Sequence, residues 1–598
     1  MKYQTRAEIP EAFRWDLTKL YENEEAWEND YLKTKKETKK ILKYAKEDIL
    51  SKPELLYEVL ECYFGINARI NELSLYANLK SDEDLSNNHW QTNAEKISFI
   101  WSVFSQNAAF IYPAIKKGSK AKLKKLMESK KLKKYRFYLE DLIRYKPHLL
   151  NEENEIIVNK LTETMESYEM MSTTLIDSVL EYGSVLINGE KTQITNANFH
   201  ILMKNPDAKV RKESHELFTG KLKEFENIFA TSLIANMKLS HKLAGIYNYK
   251  TMLERDLFGS NIPIEVYNNL FEVVEKRVDV FQKYFLMIKT HLGLDKLNRY
   301  DTGTELVNSD MEFSIDEAKL LVLRSLEVLG DEYISVIEKA FNERWIDFEN
   351  HKGKRSGAYA ASSYKNNSFI LLNYYNKFED ISALAHELGH AINFYFTEKN
   401  TYYHESELDM FNIEIPPLVN EVLLSDYIIK NSSDKELKLT AIYNLLNTIQ
   451  NNLFGSCILG EFEHNIYGEL DKEEAISLDS LNEGLHSIKK KYYGSSIDLS
   501  DSVEIMWAAI PHFFSPYYNY KYAIGVSSAV YISKKIINNQ DNMRNKFLDF
   551  LTKGSTNYAD ELLKEINVDL SKPEVINDTI DFMDYLIDEF NKISEEEN

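Results

Sequence analysis

The chain has 598 residues, 44% hydrophobic and 28% charged, the range of globular proteins and not that of disordered or membrane-spanning chains. Its length allows roughly four domain equivalents of ~150 residues and a sizeable core. Seventy-two Lys and Arg against 94 Asp and Glu leave a net charge of −22, which repels phosphate backbones and anionic lipid surfaces, so neither nucleic acid nor a membrane is expected as a partner.

Glycine (20) and proline (11) are few, and apolar residues recur at spacings of three and four between Lys/Glu-rich faces, as in Leu55, Leu56, Val59, Leu60, Tyr63 and Phe64. This pattern predicts a mainly α-helical protein. The N-terminus lacks an apolar leader core and no run of ~18 apolar residues occurs, so the expected location is the cytoplasm. The two cysteines, Cys62 and Cys457, stand far apart without CxxC spacing, which fits a reducing compartment and no thiolate metal site. Between Lys116 and Arg136 the lysines could suggest a nucleic-acid patch. Leu123, Leu126, Met127 and Leu132 interleave with them as a core stripe, so a solvated helix pair is expected.

Two breaks interrupt the helical pattern. In Gly183 to Ile194, β-branched residues flank Asn188-Gly189, a pair suited to a type I′ hairpin, and this is expected to mark the junction of two lobes. In Gly353 to Asn373, two short strands joined at Asn366-Asn367 are expected directly before the most informative segment.

That segment is His386-Glu387-Leu388-Gly389-His390. From composition, about 0.04 His-carboxylate-x-x-His matches are expected by chance. The run from Phe378 carries an Asp or Ser able to cap it and an apolar stripe at Ile381, Leu384, Ala385 and Leu388, so the motif falls on a buried helix. At ~100° and ~1.5 Å per residue, His386 and His390 lie on one face a turn apart and both imidazoles can reach one metal ion. Glu387 points beside that position, where a carboxylate can act as general base toward water. The pattern reads as an HExxH zinc-peptidase motif with one zinc ion per chain.

A catalytic zinc takes three protein ligands and keeps one open position. His404, Glu405, Glu407, Asp409, Glu414 and Glu421 are the downstream candidates for the third. Glu414 and Glu421, seven apart, share a helical face, which suits a ligand with a supporting carboxylate behind it, and Pro416-Pro417 predict that the helix starts beside them.

With Glu414-Ile415-Pro416-Pro417-Leu418-Val419-Asn420-Glu421 added to the motif, the chain resembles the oligoendopeptidase F family of thimet-oligopeptidase-like zinc metallopeptidases. Phe13 to Tyr21 with Trp27, Tyr135 to Leu149, Gly353 to Asn373, and Met506 to Phe514 are similar to that family, so the resemblance covers nearly the full chain. It implies His386, His390 and Glu414 as zinc ligands and Glu387 as the base. It also implies a two-lobed, mainly α metallopeptidase with a deep substrate channel and a small β-sheet beside the motif helix, divided into an N-terminal helical lobe (1–195) and a catalytic domain (196–598). The stretch His512 to Gly525 resembles the segment that faces the zinc in the family. His512 and Tyr522, then Tyr518, are the expected donors to the developing oxyanion. Two departures stand out: Ala391-Ile392-Asn393 where the family often has a further His, and Pro417 where a small residue often follows the ligand glutamate.

The function expected is zinc-dependent hydrolysis of internal bonds in short peptides. Two rivals are an aminopeptidase using Asp409 or another carboxylate as ligand, and a non-catalytic helical peptide-binding scaffold.

Overall fold

The structure is a computed structural model that describes residues 3–162, 166–307, 311–499 and 504–596. It is mainly α-helical, with five short strands among the described residues. The chain forms two compact units, each assembled from three stretches: 1–147, 311–427 and 532–567 in the first, and 148–310, 428–531 and 568–598 in the second.

In the first unit, helices Glu24–Glu37, Pro53–Asp82 and Asn88–Ala108 pack through Trp27, Leu56, Val59, Leu60, Leu73 and Phe104, all fully buried. Pro53 opens the second of these in the first turn, where no N–H is needed. The lysine-rich stretch keeps Leu123, Leu126 and Leu132 inside and most of its lysines outside, Lys134 being half-buried beside Glu61. Lys116 and Lys117 end the α-helix Ile111–Lys117, Lys120–Met127 forms a second α-helix, and Lys130–Tyr135 is a 3₁₀ turn before the helix Arg136–Arg144.

The same unit holds a three-stranded sheet in the order β3-β5-β4, with β3 at Ile346–Glu349, β4 at Tyr359–Ala361 and β5 at Phe369–Tyr374. β4 and β5 are the two expected strands, paired antiparallel with Ala360 opposite Ile370. β3, parallel to β5, has no clear sequence signal because Asp347 and Glu349 interrupt its apolar run. Asp347 is buried and paired: Lys354 reaches it at 2.7 Å and Arg6 at 2.5 Å, and the two cations hold its carboxyl below the ordinary range against the opposing effect of burial. The Lys354 ammonium also donates to the carbonyls of Asp347, Glu349 and Leu372, which fixes the glycine-containing loop leading into β4. Phe369 and Leu371 of β5 join the core of the N-terminal helices, with Trp15 edge-on to Phe369 at 6.4 Å.

In the second unit, β1 (Ser184–Ile187) and β2 (Glu190–Gln193) form the expected hairpin. Asn188 and Gly189 have φ of 51° and 86°, the left-handed pair that a type I′ turn requires. The helices Lys435–Ile449 and Ser456–Asp471 are joined by a π-helical turn, Gln450–Gly455. No described helix is long and apolar enough to cross a membrane.

Candidate metal centre

The motif lies in the first unit on the helix Phe378–Asn400. Asp380 closes the first turn, its Oδ2 accepting the backbone N–H groups of Tyr375 and Lys377 at 2.8 Å each. Ile381, Leu384, Ala385, Leu388, Ala391 and Ile392 are fully buried on the stripe that seats the helix. Ser368 Oγ donates to the Ala391 carbonyl at 2.9 Å, and Glu398 accepts from the Ser362 hydroxyl and the Lys365 amide, so the β4–β5 segment is fastened along the helix.

The next helix, Ile415–Asn431, begins where the prolines predict, the Leu418 N–H donating to the Glu414 carbonyl at 3.2 Å. Two features lock it to the motif helix. Asn420, fully buried, donates to the Ala385 carbonyl at 2.9 Å and accepts from the Tyr333 hydroxyl at 2.8 Å. At Gly389 the two backbones nearly touch: a Cβ added there would lie 2.4 Å from Pro417 Cα and 2.7 Å from Pro417 N.

This contact brings three side chains together. Glu414 Oε2 lies 3.6 Å from His386 Nε2 and 3.8 Å from His390 Nε2, and one donor atom from each residue falls within 4.8 Å of the other two. Two imidazoles and a carboxylate are a donor set suited to a divalent transition metal with an open position. His386 Nδ1 meets Glu421 Oε1 at 2.6 Å, so the carboxylate one face-repeat beyond Glu414 orients the imidazole from behind. Burial would lower the His386 pKa, but Glu421, Glu387 and Glu414 outweigh it and hold it at about 9. His390 has fallen to about 3 through burial and the neighbouring His386.

Glu387 is buried, with one carboxylate oxygen lacking any protein partner. Desolvation raises it to about 7, helped by Glu414 and Glu421 and opposed by His386 and the Ala360 amide of β4. A buried carboxyl poised near neutrality with an unused oxygen is suited to taking up and returning a proton.

Of the remaining downstream candidates, His404, Glu405 and Asp409 are engaged elsewhere, and Glu407 is not part of the cluster. His404 bonds the Lys134 carbonyl at 2.8 Å and lies against Tyr135, Glu405 caps Tyr402, and Asp409 accepts from Phe411 N at 2.8 Å. Among the described residues only His386, His390 and Glu414 form a cluster able to hold a metal ion.

His512, Tyr518 and Tyr522 lie in the second unit and form one cluster there. The Tyr522 hydroxyl is 3.3 Å from His512 Nε2, and Tyr518 stands 5.4 Å from each of the other two rings. Burial lowers the His512 pKa, opposed by Glu169, which favours a neutral imidazole. Sequence reasoning missed what holds this segment. Tyr517 has φ of 53°, a rare backbone conformation for a bulky residue, and its N–H donates at 2.7 Å to the fully buried Glu463.

The helical fold and the His-Glu-x-x-His helix with its converging carboxylate are those of a metallopeptidase. A family model described as Peptidase family M3 matches residues 201–582, and one described as Oligopeptidase F matches 115–182. Oligopeptidase PepF of Bacillus subtilis is 29% identical over 98% of this chain and 88% of its own, and an oligoendopeptidase F homolog of Borreliella burgdorferi 31% over 98% and 99%. A solved structure from Chlamydophila abortus superposes with a TM-score of 0.90 at 28% identity, covering 99% of this chain and all of that one. The chain belongs to peptidase family M3, with relatives of the oligoendopeptidase F type.

Proposed function

We propose that this protein is a zinc-dependent endopeptidase that cleaves internal bonds of short oligopeptides, with one zinc held by His386, His390 and Glu414. The observation that carries the reading is the convergence of those three donors beside a buried carboxyl, Glu387, with an unpartnered oxygen. When bound, the metal supplies Lewis acidity for polarising a carbonyl and acidifying water. Glu387 accepts the proton of the attacking water and returns it to the leaving amine. Glu421 holds His386 in the tautomer that presents Nε2. A neutral donor from the His512, Tyr518 and Tyr522 group stabilises the oxyanion, a role that rests on the family resemblance.

β4 is an edge strand of its sheet, which supports binding of an extended peptide through its backbone regardless of sequence. The two family matches leave 183–200 between them, which supports 1–195 and 196–598 as a division of sequence families, whereas the compact units interleave in sequence and keep 148–310 together. A cytoplasmic site of action is supported by two free cysteines, Cys62 and Cys457.

The test combines metal analysis with product mapping. About one zinc per chain is expected. N-terminally acetylated short peptides should be cut internally while a folded protein is spared, and Glu387→Gln should keep the metal and lose most turnover. Activity indifferent to a strong chelator overturns the metal assignment. Cleavage confined to free terminal residues restores the aminopeptidase reading, and absence of turnover in the zinc-loaded protein restores the scaffold.

A further inference from the structure

The second unit contains a cavity of about 640 Å³ whose lining runs against the character of the chain. In a protein of net charge −22, its described lining includes Lys204, Arg299 and Lys489 and no carboxylate. Lys204 is half in solvent and paired with Glu305 at 3.3 Å. Lys489 is different: its side chain is 7% exposed, and its ammonium sits 2.5 Å from Glu504, itself 6% exposed. Glu504 is also approached by His486 at 3.3 Å. The Arg299 guanidinium donates to the Tyr493 hydroxyl at 3.3 Å and lies over that ring, and it has no carboxylate partner among the described residues. Of these two lining cations, Lys489 is paired with a buried anion and Arg299 has none of its own among the described residues.

The field of this arrangement is felt by its neighbours. Lys489 is lowered to about 8, by burial first and then by Arg299, against the effect of Glu504. His215 is lowered to about 4, again by burial first and then by Arg299 and Lys489. An anion entering the cavity would relieve that repulsion.

A second, independent feature of the lining is a stretch of π-helical backbone. Gln450, Asn451 and Gly455 reach the cavity from the π-helical turn Gln450–Gly455. Such an insertion costs regular helical bonding and tends to be kept where it presents groups to a ligand. Gln450 Nε2, which also donates to Asn451 Oδ1 at 2.6 Å, and Asn451 Nδ2 are carboxamide groups able to donate to an oxyanion, while Phe199, Phe285 and Tyr493 supply aromatic surface. The volume is that of a small-molecule site, apolar in part with a few converging polar groups.

We propose that this cavity binds a carboxylate carried on an apolar or aromatic body, with Arg299 and Lys489 receiving the carboxylate and the π-turn amides and aromatic wall receiving the rest. The guanidinium fork matches a carboxylate geometrically, and the rings match an amphipathic ligand better than a bare inorganic ion. Two sources share this chemistry: the C-terminal end of a peptide, and a free aromatic or aliphatic acid acting as effector. The site makes no use of the proposed metal centre, and its test does not read turnover.

The experiment is calorimetric titration of the full-length, metal-loaded protein with hippurate and with its uncharged amide. Hippurate should bind at least about tenfold more tightly than hippuramide, and Arg299→Gln should weaken it about tenfold to a hundredfold, as expected for loss of a charge-assisted hydrogen bond. A second variant, Lys489→Met with Glu504→Gln, removes the buried pair together, leaves no orphaned charge and should also lose hippurate, so the test survives if Arg299→Gln does not fold. Competition by a benzoylated dipeptide but not by its C-terminal amide would assign the source as peptide ends; competition by free acids alone would assign an effector, and either supports the site. No hippurate binding, equal binding of the amide, equal or tighter binding of inorganic phosphate, or hippurate binding untouched by both variants, as at a metal, would overturn it.

Discussion

Replacing Gly389 by alanine tests whether the metal centre depends on the near-contact of two backbones. The new Cβ would stand 2.4 Å from Pro417 Cα, whereas carbon atoms pack at about 3.5–4.0 Å, so the helices must part by about 1 Å or more. Pro417 cannot swing away as a side chain would, because the clash is with its backbone; Pro417→Ala therefore offers no relief. Glu414 is three residues upstream on the displaced segment, and metal–ligand distances tolerate only about 0.2 Å. Overpacking of this kind costs about 1–3 kcal/mol, and if that cost falls on the metal-bound state, zinc affinity should drop roughly fivefold to a hundred-and-fiftyfold. Competition against a chromophoric chelator measures it, with thermal unfolding of the metal-free protein as the control for general damage. Wild-type zinc affinity and turnover in Gly389→Ala would refute the claim that this contact sets the position of Glu414.

Glu421→Ala should leave all three proposed ligands in place yet weaken zinc about tenfold to a hundredfold, because His386 loses the group that orients it; unchanged affinity in the same competition would make the 2.6 Å contact irrelevant to metal binding. Glu463→Gln tests a different charge. Burial raises Glu463 to about 8, so wild-type stability from this group is fully present below about pH 4.5 and is lost as pH rises through 8. The variant, which keeps the acceptor for Tyr517, should match wild type near pH 5 and exceed it by on the order of 3 kcal/mol at pH 9; a pH-independent difference in unfolding would count against a protonated Glu463. Tyr522→Phe and His512→Ala should lower kcat by up to about a hundredfold with little change in KM. Normal kinetics in both, with Tyr518→Phe impaired, would move the donor role to Tyr518.

The motif helix was legible because both imidazoles, the glutamate and the apolar stripe lie within one helical stretch and obey one periodicity. The relation of Glu414 to Glu421 was legible for the same reason, and both reach His386. Choosing Glu414 over Asp409 was not, since the 14 residues between helices can bring either carboxylate back to the metal helix. Only the family resemblance ranked them before the structure did. The hairpin at Asn188-Gly189 carried its own turn chemistry. β3 did not, because its acceptable charges depend on Arg6 and Lys354, the first about 340 residues away in sequence. Glu463 and the left-handed Tyr517 were invisible for a like reason: a buried carboxyl and a strained turn explain each other only once they are adjacent.

The joining of Phe369 and Leu371 to the N-terminal helices also bears on how the chain is made. At ~5–20 residues per second, the roughly 160 residues that intervene before the first unit resumes take on the order of 10 to 30 s to emerge from a ribosome. Throughout that interval Trp15 and its neighbours lack the strand that covers them. A fragment ending at residue 195 would stay in that condition permanently, and nascent chains of this protein are accordingly expected to be clients of ribosome-associated chaperones until β5 arrives.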